Sequence, residues 1–461
     1  MTKQTVRTRF APSPTGYMHI GNLRTALYGY LYAKSQQGQF ILRIEDTDRT
    51  RYVADAVDFI NRTLEMAHIV PDESPSLGGP YGPYVQSERM DLYKQYAEEL
   101  VKTGHAYYCF CDPDEDHSAG QFGGYDRTCR NLSPEVIEEH LKNGDPYVIR
   151  QKMPLTGETT FFDVLHGNIT IKNEELEDQV LLKRDGMPTY NFANVIDDHL
   201  MHITHIMRGA EFITSTPKYI LLYESFGWDV PTFIHLAPVM GKNEDGSISK
   251  LSKRHGATSF DDLVKAGYLP DAIVNYVALL GWNPKTTNQE IFSMDELIAH
   301  FSLEGLSKSP AVFDYDKLGW INGEYLKAMS DEDFAKMARP FAGDLPQEIA
   351  FLCEQPAFDA ELYVNKRNKV TPEKAADLLP GMMALLEDVP ESEWSNDALY
   401  EKLNAYIEEK EIKKGLAMWV LRIAAAGQKV TPGGATEILS LLGKKISLDR
   451  LKKSLAKLQE V

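Results

Sequence analysis

The sequence predicts an α/β protein in which a parallel sheet is interrupted by a mixed α+β insertion and followed by an all-helical C-terminal region. Three observations support this fold class. Strand-like and amphipathic helical segments alternate at the start of the chain, a Gly/Pro/Ser-rich stretch interrupts the alternation near residue 80, and strand signals vanish beyond about residue 325. We interpret the first part as a sheet of the nucleotide-binding type.

The first elements follow from the hydrophobic pattern. TVRTRF alternates like a short strand, and IGNLRTALYGYLYAK has apolar residues at helical spacing. QFILRIED is predicted to be the next strand, and ADAVDFINRTLEMA a helix with one apolar face. The two strand–helix pairs are typical of an α/β domain.

The region after residue 80 has mixed content. DLYKQYAEELVKTG reads as a helix, whereas YVIRQKMP and TTFFDVLHGNITIK have strand-like composition. From MPTYNFANVIDDHLM onward the α/β alternation resumes. The segments that follow are a strand end in THIMRGAEF, a helix in STPKYILLYESFG and a strand in TFIHLAPVMG.

These patterns divide the chain into five segments. Residues 1–80 and 188–240 are predicted to be the two halves of the α/β domain, and residues 81–187 its insertion. Residues 241–325 follow as a loop and helical region, and residues 326–461 as a helical domain. Two long segments of that domain read as helical, TPEKAADLLPGMMALLEDV and DALYEKLNAYIEEKEIKKGLAMWVLRIAAA.

Length and composition limit the class of protein. The chain has 461 residues, 43% hydrophobic and 25% charged, an ordinary composition for several globular domains. The formal net charge of −18 argues against indiscriminate coating of nucleic acid but leaves room for a local basic surface. Because a secretory signal and long apolar runs are lacking, we expect a cytoplasmic protein that does not bind membranes. Four cysteines in a reducing compartment do not indicate a disulfide framework.

The joint between the first strand and helix, RFAPSPTGYMHIGN, contains polar residues that a tight connection does not need. Unpaired amides at the N-terminus of a helix form a ready anion site, and His19 could donate a hydrogen bond to a phosphate oxygen there. Gly21 lets a flat ring approach the backbone closely. Taken alone, the motif is more typical of a histidine that only lies in the loop or caps the helix.

A second candidate phosphate site is KLSKR, Lys250 to Arg254, in a polar and glycine-rich stretch that predicts a mobile loop. Its two lysines, Lys250 and Lys253, flank Ser252 and could clamp a triphosphate. The alternative is a solvated basic run. The chain has neither a P-loop motif nor a G-x-G-x-x-G fingerprint, so phosphate chemistry would have to use this pair.

Several of these segments resemble one enzyme family in the family's own order. RFAPSPTGYMHIGN resembles the His-x-Gly-His region of class I aminoacyl-tRNA synthetases, and KLSKR resembles their Lys-Met-Ser-Lys-Ser loop. More narrowly, RIEDTDRTR, PTYNFANVIDDHLM and IMRGAEFITSTPKY resemble bacterial glutamyl-tRNA synthetases. The resemblance spans roughly residues 7 to 260. It implies a Rossmann-like catalytic domain, an inserted acceptor-stem-binding domain, a helical stem-contact region and a helical anticodon-binding domain.

The resemblance also implies a glutamate pocket. Arg9 and Arg208 would face the carboxylates of glutamate, because a guanidinium matches a carboxylate with two hydrogen bonds. Glu45 would receive the α-ammonium group. The remaining residues that the family's motifs place in this pocket are Ala11, Ser13, Tyr190 and Asn194.

For ATP, the resemblance implies a site at the two phosphate motifs. Catalytic roles fall to His19, Lys250 and Lys253, with Mg²⁺ bridging phosphate oxygens. Asn22 stands where many members of the class have a second histidine, a position that often differs in glutamyl enzymes. The residues expected to contact ATP are His19, Gly21, Asn22, Glu211, Lys250, Ser252 and Lys253.

The implied reaction is the ATP-dependent activation of L-glutamate as glutamyl-adenylate and its transfer to the 3′-terminal adenosine of tRNA(Glu). No protein nucleophile is required, which agrees with the absence of a convincing Ser-His or Cys-His arrangement. We expect the partners to be tRNA(Glu), L-glutamate and ATP, and the enzyme to be a monomer. Two alternatives stay open, a non-discriminating enzyme that also charges tRNA(Gln) with glutamate and a non-catalytic paralogue that only binds tRNA or nucleotide.

Three cysteines of the insertion are candidate zinc ligands. Cys109 and Cys111 are separated by one residue, and Cys129 follows nearby, a set that suits structural zinc. Tyr125-x-x-x-Cys129 matches a Cys-x-Cys…Tyr-x-x-x-Cys variant among glutamyl-tRNA synthetase paralogues, which implies Tyr125 as a further ligand. Asn131 stands where some relatives have a histidine. The alternative is three free thiols in a reducing cell.

The end of the chain is basic. Residues 411–461 contain ten lysines and arginines against four aspartates and glutamates, a net formal charge of +6 on an acidic chain. Contacts with tRNA phosphates need such a local patch. The helical pattern also argues against a glutaminyl enzyme with C-terminal β-barrels, and the length past residue 325 argues against a paralogue that lacks the anticodon-binding domain.

Overall fold

The computed structural model of the chain contains two compact units. The first comprises Met1–Asp261 and Val274–Phe313, and the second Asp262–Ile273 and Asp314–Val461. The structure describes residues 5–16, 18–48, 53, 55–112, 125–243, 245–252, 255–256, 258–330, 334, 351–352 and 356–460.

The described strands all belong to the first unit. They are β1 Arg7–Phe10, β2 Gln39–Leu42, β3 Ala106–Cys109, β4 Val148–Gln151, β5 Glu158–Asp163, β6 Gly167–Lys172, β7 Val180–Leu182, β8 His205–Gly209, β9 Thr232–Leu236, β10 Val239–Lys242, β11 Ile248–Lys250 and β12 Ala311–Val312. Six of them form the main sheet in the order β2-β1-β8-β9-β5-β6, and β11-β10-β12 form a small second sheet.

The main sheet confirms the predicted parallel architecture. β1 pairs in parallel with β2 and β8, and β9 pairs in parallel with β8 and β5. Only β6, at the edge, runs antiparallel to its neighbour. Non-consecutive neighbours such as β1 and β8 require crossover connections, which is why the strands of an α/β sheet bring distant parts of the chain together.

One strand pair within the predicted insertion extends the main sheet. The sequence interpretation assigned β5 and β6 to the insertion, but they extend the main sheet: Asp163 pairs with Phe233 of β9, and the Val164 amide donates to the Phe233 carbonyl at 3.0 Å. The insertion has its own antiparallel sheet, β3-β4-β7. Side-chain alternation predicts that a segment is a strand, but it does not specify a partner far along the chain.

The described α-helices include every segment that the sequence predicted to be helical, together with others that it did not predict. They are α1 Ile20–Ser35, α2 Ala56–Met66, α3 Met90–Lys102, α4 Pro134–Asn143, α5 Tyr190–Leu200, α6 Thr216–Phe226, α7 Phe260–Lys265, α8 Pro270–Leu279, α9 Met294–His300, α10 Tyr315–Ala328, α11 Pro372–Glu387, α12 Asn396–Glu409, α13 Lys414–Ala426 and α14 Ala435–Leu458. None of the described helices is both long enough and apolar enough to cross a membrane.

The second unit confirms the predicted helical C-terminal region, since no strand occurs among its described residues. Helices α11 to α14 share one apolar core that contains Leu379, Leu403, Leu421 and Leu439, each fully buried. The long segment predicted as helical before residue 427 is two helices, α12 and α13, and Glu411 between them has a φ of 52°. A left-handed residue of this kind ends a helix.

The basic end of the chain offers less free charge than its composition predicts. Arg450 is only 3% exposed and donates to the carbonyl of Ala425 at 3.1 Å. Lys453 pairs with Asp449 on the same helix. Arg450 is therefore a structural residue, and a phosphate-binding surface here depends on the exposed lysines.

Candidate active site

A cavity of about 470 Å³ lies at the carboxyl ends of β1 and β8, where helix α1 begins. Ligands of open parallel sheets bind at this edge, because the loops that follow the strands meet there. Most of the residues implied by the resemblance lie together around it. Those that line the cavity are Arg9, Ala11, Ser13, His19, Gly21, Asn22, Glu45, Tyr190, Arg208, Glu211 and Lys250.

Two of the predicted site residues that the structure describes, Asn194 and Ser252, are not in this lining. Asn194 is buried behind it and donates from Nδ2 to the carbonyl of Tyr190 at 2.7 Å. Ser252 lies next to His255, and its amide donates to the imidazole Nδ1 at 3.0 Å. Lys253 lies outside the described residues.

Lys250 lies on a strand, whereas the sequence predicted a mobile loop for it. It is the last residue of β11 and pairs with Met240 of β10 in an antiparallel hairpin. The Asp245-Gly246 pair, with a φ of 83° at Gly246, makes the turn. Asp-Gly between two strand segments is a strong hairpin signal, so the sequence contained the information that this lysine is held by a hairpin.

His19 both caps helix α1 and lines the cavity. Its Nδ1 accepts a hydrogen bond from the Gly21 amide at 3.2 Å, so in the neutral ring the proton must be on Nε2. That Nε2 is buried and has no partner among the described residues. Burial, with a smaller contribution from Lys250, lowers the pKa of His19, which keeps the ring neutral. The cap therefore fixes the tautomer in which Nε2 carries the proton and can act as a donor.

A buried network of charges supports the other end of the cavity. Arg43, fully buried after β2, donates to Glu45 at 3.1 Å and to Asp198 at 2.8 Å. Asp198 also accepts from Nε of Arg9 at 3.0 Å. The network thus balances the charge of Arg9 within the protein. Sequence reasoning gave no role to Arg43 or Asp198, although charged residues next to buried apolar runs were a usable signal.

Of the two carboxylate oxygens of Glu45, one accepts a hydrogen bond and the other has no partner among the described residues. Its Oε1 accepts from Arg43, whereas Oε2 is buried without a partner among the described residues. Burial raises the pKa of Glu45 to about 7, although the cations Arg43 and Arg9 oppose the shift. A buried carboxylate oxygen without a donor is costly, so a cationic group entering the cavity would meet a strong acceptor.

Arg208, at the end of β8, is held by neutral partners. Its Nε donates to Nε2 of His235 at 3.1 Å, and its Nη2 donates to the Thr216 hydroxyl at 2.9 Å. The guanidinium also lies over the ring of Tyr219, 4.7 Å from its centre. Sequence reasoning identified Arg208 but missed His235 and Thr216, which lie on the next strand and helix.

The cysteines of the insertion form a compact cluster, as their spacing predicted. The sulfur atoms of Cys109, Cys111 and Cys129 lie within 4.8 Å of one another. The hydroxyl of Tyr125 is 3.3 Å from the Cys109 sulfur and 3.2 Å from the Cys111 sulfur. The Nε of Arg150 is 3.4 Å from the Cys109 sulfur. Four donor groups therefore surround one point, with a cation beside them.

Comparisons with known proteins agree with this geometry. Residues 5–320 match the family described as tRNA synthetases class I (E and Q), catalytic domain. Residues 320–455 match the family described as anticodon binding domain. The chain therefore belongs to the class I aminoacyl-tRNA synthetases, in the group for glutamate and glutamine.

Full-length relatives narrow this assignment. The chain is 49% identical to the glutamate–tRNA ligase of Clostridium novyi, covering 100% of this chain and 99% of the relative, and 48% identical to that of Clostridium tetani, with coverage of 100% and 99%. A crystal structure of a glutamate tRNA ligase from Elizabethkingia meningosepticum in complex with its amino acid superposes with a TM-score of 0.71 at 35% identity, covering 99% of this chain and 100% of that one. The chain belongs to the glutamate–tRNA ligase family.

Proposed function

We propose that the cavity binds L-glutamate and ATP side by side and joins them as glutamyl-adenylate, before glutamate passes to the 3′-terminal adenosine of tRNA(Glu). One observation carries this proposal. Two residues of the lining, Glu45 and His19, each have a buried polar atom without a partner among the described residues, Oε2 and Nε2 respectively. One is an acceptor suited to an ammonium group, and the other is a donor suited to a phosphate oxygen.

The glutamate end is built from opposite charges. The α-ammonium group binds Glu45 Oε2, and the carboxylates face Arg208 and Arg9. Arg9 is already neutralised by Asp198, whereas the hydrogen-bond partners of Arg208 among the described residues are neutral. Arg208 therefore supplies most of the net attraction for an acidic side chain.

The ATP end lies at the start of helix α1. The Nε2–H of His19 donates to a phosphate oxygen, and Lys250 places its charge beside the phosphates, joined by Lys253 of the same motif. Gly21 and Asn22 line this end of the cavity, where the helix dipole favours an anion. Their amides already have protein partners, since Gly21 donates to Nδ1 of His19 and Asn22 to the carbonyl of His19. Class I synthetases usually use Mg²⁺, which binds one or two carboxylates together with substrate phosphates and neutralises phosphate charge. Glu211, an exposed carboxylate of the lining, fits this requirement.

Activation needs positioning and charge stabilisation more than covalent catalysis. An α-carboxylate oxygen of glutamate forms a bond to the α-phosphorus of ATP while the bond to the oxygen of the leaving pyrophosphate breaks. His19 and Lys250 stabilise charge on the phosphate oxygens during this step. The terminal ribose hydroxyl of tRNA then attacks the activated carbonyl, and AMP leaves.

The second unit is assigned to tRNA recognition. Its match to an anticodon binding domain supports this assignment. Two exposed aromatic rings that each have a lysine ammonium group nearby also support it. Trp320 is 44% exposed with Lys317 at 4.1 Å from its ring centre, and Tyr400 is 43% exposed with Lys414 at 4.4 Å. Exposed rings beside cations can stack on unpaired bases while the cation meets phosphates. Monomeric state and cytoplasmic location stay predictions of the sequence.

Charging of purified tRNA tests the proposed function. With ATP and Mg²⁺, the protein should attach radiolabelled glutamate to tRNA(Glu) and should leave glutamine and aspartate unattached. Charging of tRNA(Gln) with glutamate in the same assay would identify a non-discriminating enzyme. Failure to charge either tRNA, by protein that binds tRNA and shows a cooperative melting transition, would contradict the proposal.

The unusual pKa of Glu45 predicts a pH dependence for glutamate use. Since the pKa of Glu45 is raised to about 7, protonation below that pH removes the acceptor for the ammonium group, and kcat/KM for glutamate should fall as the pH drops through about 7. Glu45→Gln should lower kcat/KM for glutamate at pH 8 and should abolish its fall at acidic pH. Steady-state kinetics from about pH 6 to about pH 8.5 measure both effects.

Thermal unfolding provides the control for this variant. A carboxyl group whose pKa is raised in the folded state stabilises the protein at acidic pH, and that contribution is lost as the pH rises through the folded-state pKa. Glu45→Gln should therefore melt no lower than wild type at pH 8. If Glu45→Gln has a normal kcat/KM for glutamate, and this value still falls at acidic pH as in wild type, Glu45 does not bind the ammonium group.

We propose further that Cys109, Cys111, Cys129 and Tyr125 hold a structural zinc ion. Their donor atoms converge at distances that one small ion can bridge, and the buried position suits a structural site. Zinc would tie the end of β3 to the short helix Thr128–Asn131, and so stabilise the insertion.

Elemental analysis tests this site on protein purified without a metal-affinity tag. We expect close to one zinc per chain in wild type and in Cys353→Ser, which changes the remaining cysteine of the sequence, and loss of zinc in Cys109→Ser. Metal-free wild-type protein with full charging activity would show that the three cysteines are plain thiols.

A further inference from the structure

Two buried residues behind the cavity, Asp163 and His235, connect to it through Arg208. Both are fully buried, on β5 and β9. The Nδ1 of His235 is 2.8 Å from Oδ2 of Asp163, and its Nε2 is 3.1 Å from Nε of Arg208. Neither Asp163 nor His235 lines the cavity, and the roles assigned above leave both unused.

The hydrogen bonds of Asp163 determine its charge. Its Oδ1 accepts from the amides of Leu165 and His166, each at 2.9 Å, and its Oδ2 accepts from the amide of His235 at 3.0 Å. Burial alone would raise the pKa of Asp163, but the hydrogen bonds from His235 and from these amides hold it below the ordinary value. Asp163 is therefore an ionised, acceptor-only group.

An acceptor-only carboxylate fixes the tautomer of the imidazole. His235 must donate from Nδ1 to Asp163, which leaves Nε2 as an acceptor for Arg208. The Thr216 hydroxyl, also near this nitrogen, donates to the carbonyl of Phe212 at 2.9 Å. Burial, assisted by Arg208, lowers the pKa of His235 and keeps the ring neutral.

A neutral partner has a particular consequence for Arg208. A carboxylate in the place of His235 would orient the guanidinium but would also cancel its charge, as Asp198 does for Arg9. The imidazole orients Arg208 through Nε and moves the balancing negative charge of Asp163 one ring further from the cavity. Arg208 thereby keeps its attraction for an acidic side chain. This attraction favours glutamate over glutamine, which has a similar shape but is neutral.

We propose that Asp163 and His235 are positioning residues that orient Arg208 without neutralising it and thereby set the selectivity for glutamate over glutamine. This inference rests on the proposed role of Arg208 in the glutamate pocket. It predicts that the hydrogen-bond acceptor at Nε2 of His235, and not the ring itself, controls the KM for glutamate.

A matched pair of substitutions isolates that acceptor. The amide oxygen of His235→Gln can occupy about the place of Nε2, whereas the shorter amide of His235→Asn reaches only about the place of Nδ1. We expect His235→Asn to raise the KM for glutamate roughly ten- to a hundredfold and to narrow the glutamate-to-glutamine ratio of kcat/KM. His235→Gln should stay within a few-fold of wild type, and both should keep the KM for ATP.

Asp163→Asn tests the tautomer directly. An asparagine amide facing Nδ1 would move the imidazole proton to Nε2, against Arg208, as happens when the aspartate of a catalytic triad is replaced. Nitrogen chemical shifts of histidine labelled with ¹⁵N should show His235 protonated on Nδ1 in wild type and on Nε2 in Asp163→Asn. The KM for glutamate should rise in this variant as well.

The kinetic assays use the full-length protein with tRNA(Glu) present and include Arg208→Ala as a reference. If Arg208→Ala raises the KM for glutamate while the two His235 variants are equal, the positioning proposal is wrong and the pocket assignment stands. If Arg208→Ala also leaves this KM unchanged, the pocket assignment itself fails. Equal melting temperatures of the two His235 variants would exclude reduced stability as the cause of a difference in their KM values for glutamate. If His235→Asn alone melts at a lower temperature but has a normal KM for glutamate at a temperature where it is folded, the proposal is wrong.

Discussion

Replacement of Arg208 by alanine should lower kcat/KM for glutamate roughly 10²- to 10³-fold, the largest loss expected from any single glutamate contact. A charge-assisted, two-pronged hydrogen bond between a guanidinium and a carboxylate in a buried site is worth several kcal/mol. Arg208 is 5% exposed, and its hydrogen-bond partners in the described part of the chain are neutral, so we expect the substrate carboxylate to be its counter-ion. Steady-state charging kinetics at varied glutamate concentration measure the loss.

Arg208→Lys is the matched control for charge. A lysine keeps the positive charge but lacks the planar fork, and so it should recover only part of the lost kcat/KM. The KM for ATP should stay close to wild type in both variants, since the proposed ATP site is at the other end of the cavity. If Arg208→Ala folds normally and uses glutamate as wild type does, Arg208 does not bind the substrate.

Replacement of His19 by alanine should lower kcat about a hundredfold, a typical cost of losing one preorganised donor to developing charge. The KM values should change less, because a group that acts most strongly in the transition state contributes little to ground-state binding. Alanine also removes the acceptor for the Gly21 amide, so this variant alone does not separate catalysis from helix capping.

Two further variants make that separation. His19→Asn keeps a good N-cap acceptor for Gly21 but lacks a donor at the place of Nε2, and so it should melt like wild type and still lose kcat. His19→Gln places an amide near Nε2 without a good cap, and it should lose stability while keeping more of kcat than the asparagine variant. If kcat falls only in the variants that lose stability, and His19→Asn is fully active, His19 is only a helix cap.

Local pattern predicted the elements well, because apolar periodicity directly reflects which face of a segment is buried. β1, α1, β2 and α2 appeared where alternation and helical spacing placed them, and the helical second unit followed from the loss of strand signals. The hairpin β5–β6 was identified as strands, but its place in the main sheet was not predicted, since its partner β9 lies far along the chain.

The supporting residues of the site escaped sequence reasoning for the same reason. Arg43 meets Asp198, and His235 meets both Asp163 and Arg208, across separations that only the sheet order brings together. The residues proposed to contact substrates could be named from the sequence because they stand in short motifs with recognisable chemistry. The residues that orient these side chains have no local sequence signature beyond a charged or titratable residue within an apolar run.

The central claim, that one cavity holds glutamate and ATP between Glu45, Arg208 and His19, is tested most directly by a crystal structure with a non-hydrolysable glutamyl-adenylate analogue and tRNA(Glu). We expect the ammonium group within hydrogen-bond distance of Glu45 Oε2, the side-chain carboxylate against Arg208 and an oxygen of the phosphate mimic against His19 Nε2. An analogue bound with its ammonium group and carboxylate away from Glu45 and Arg208 would contradict the account.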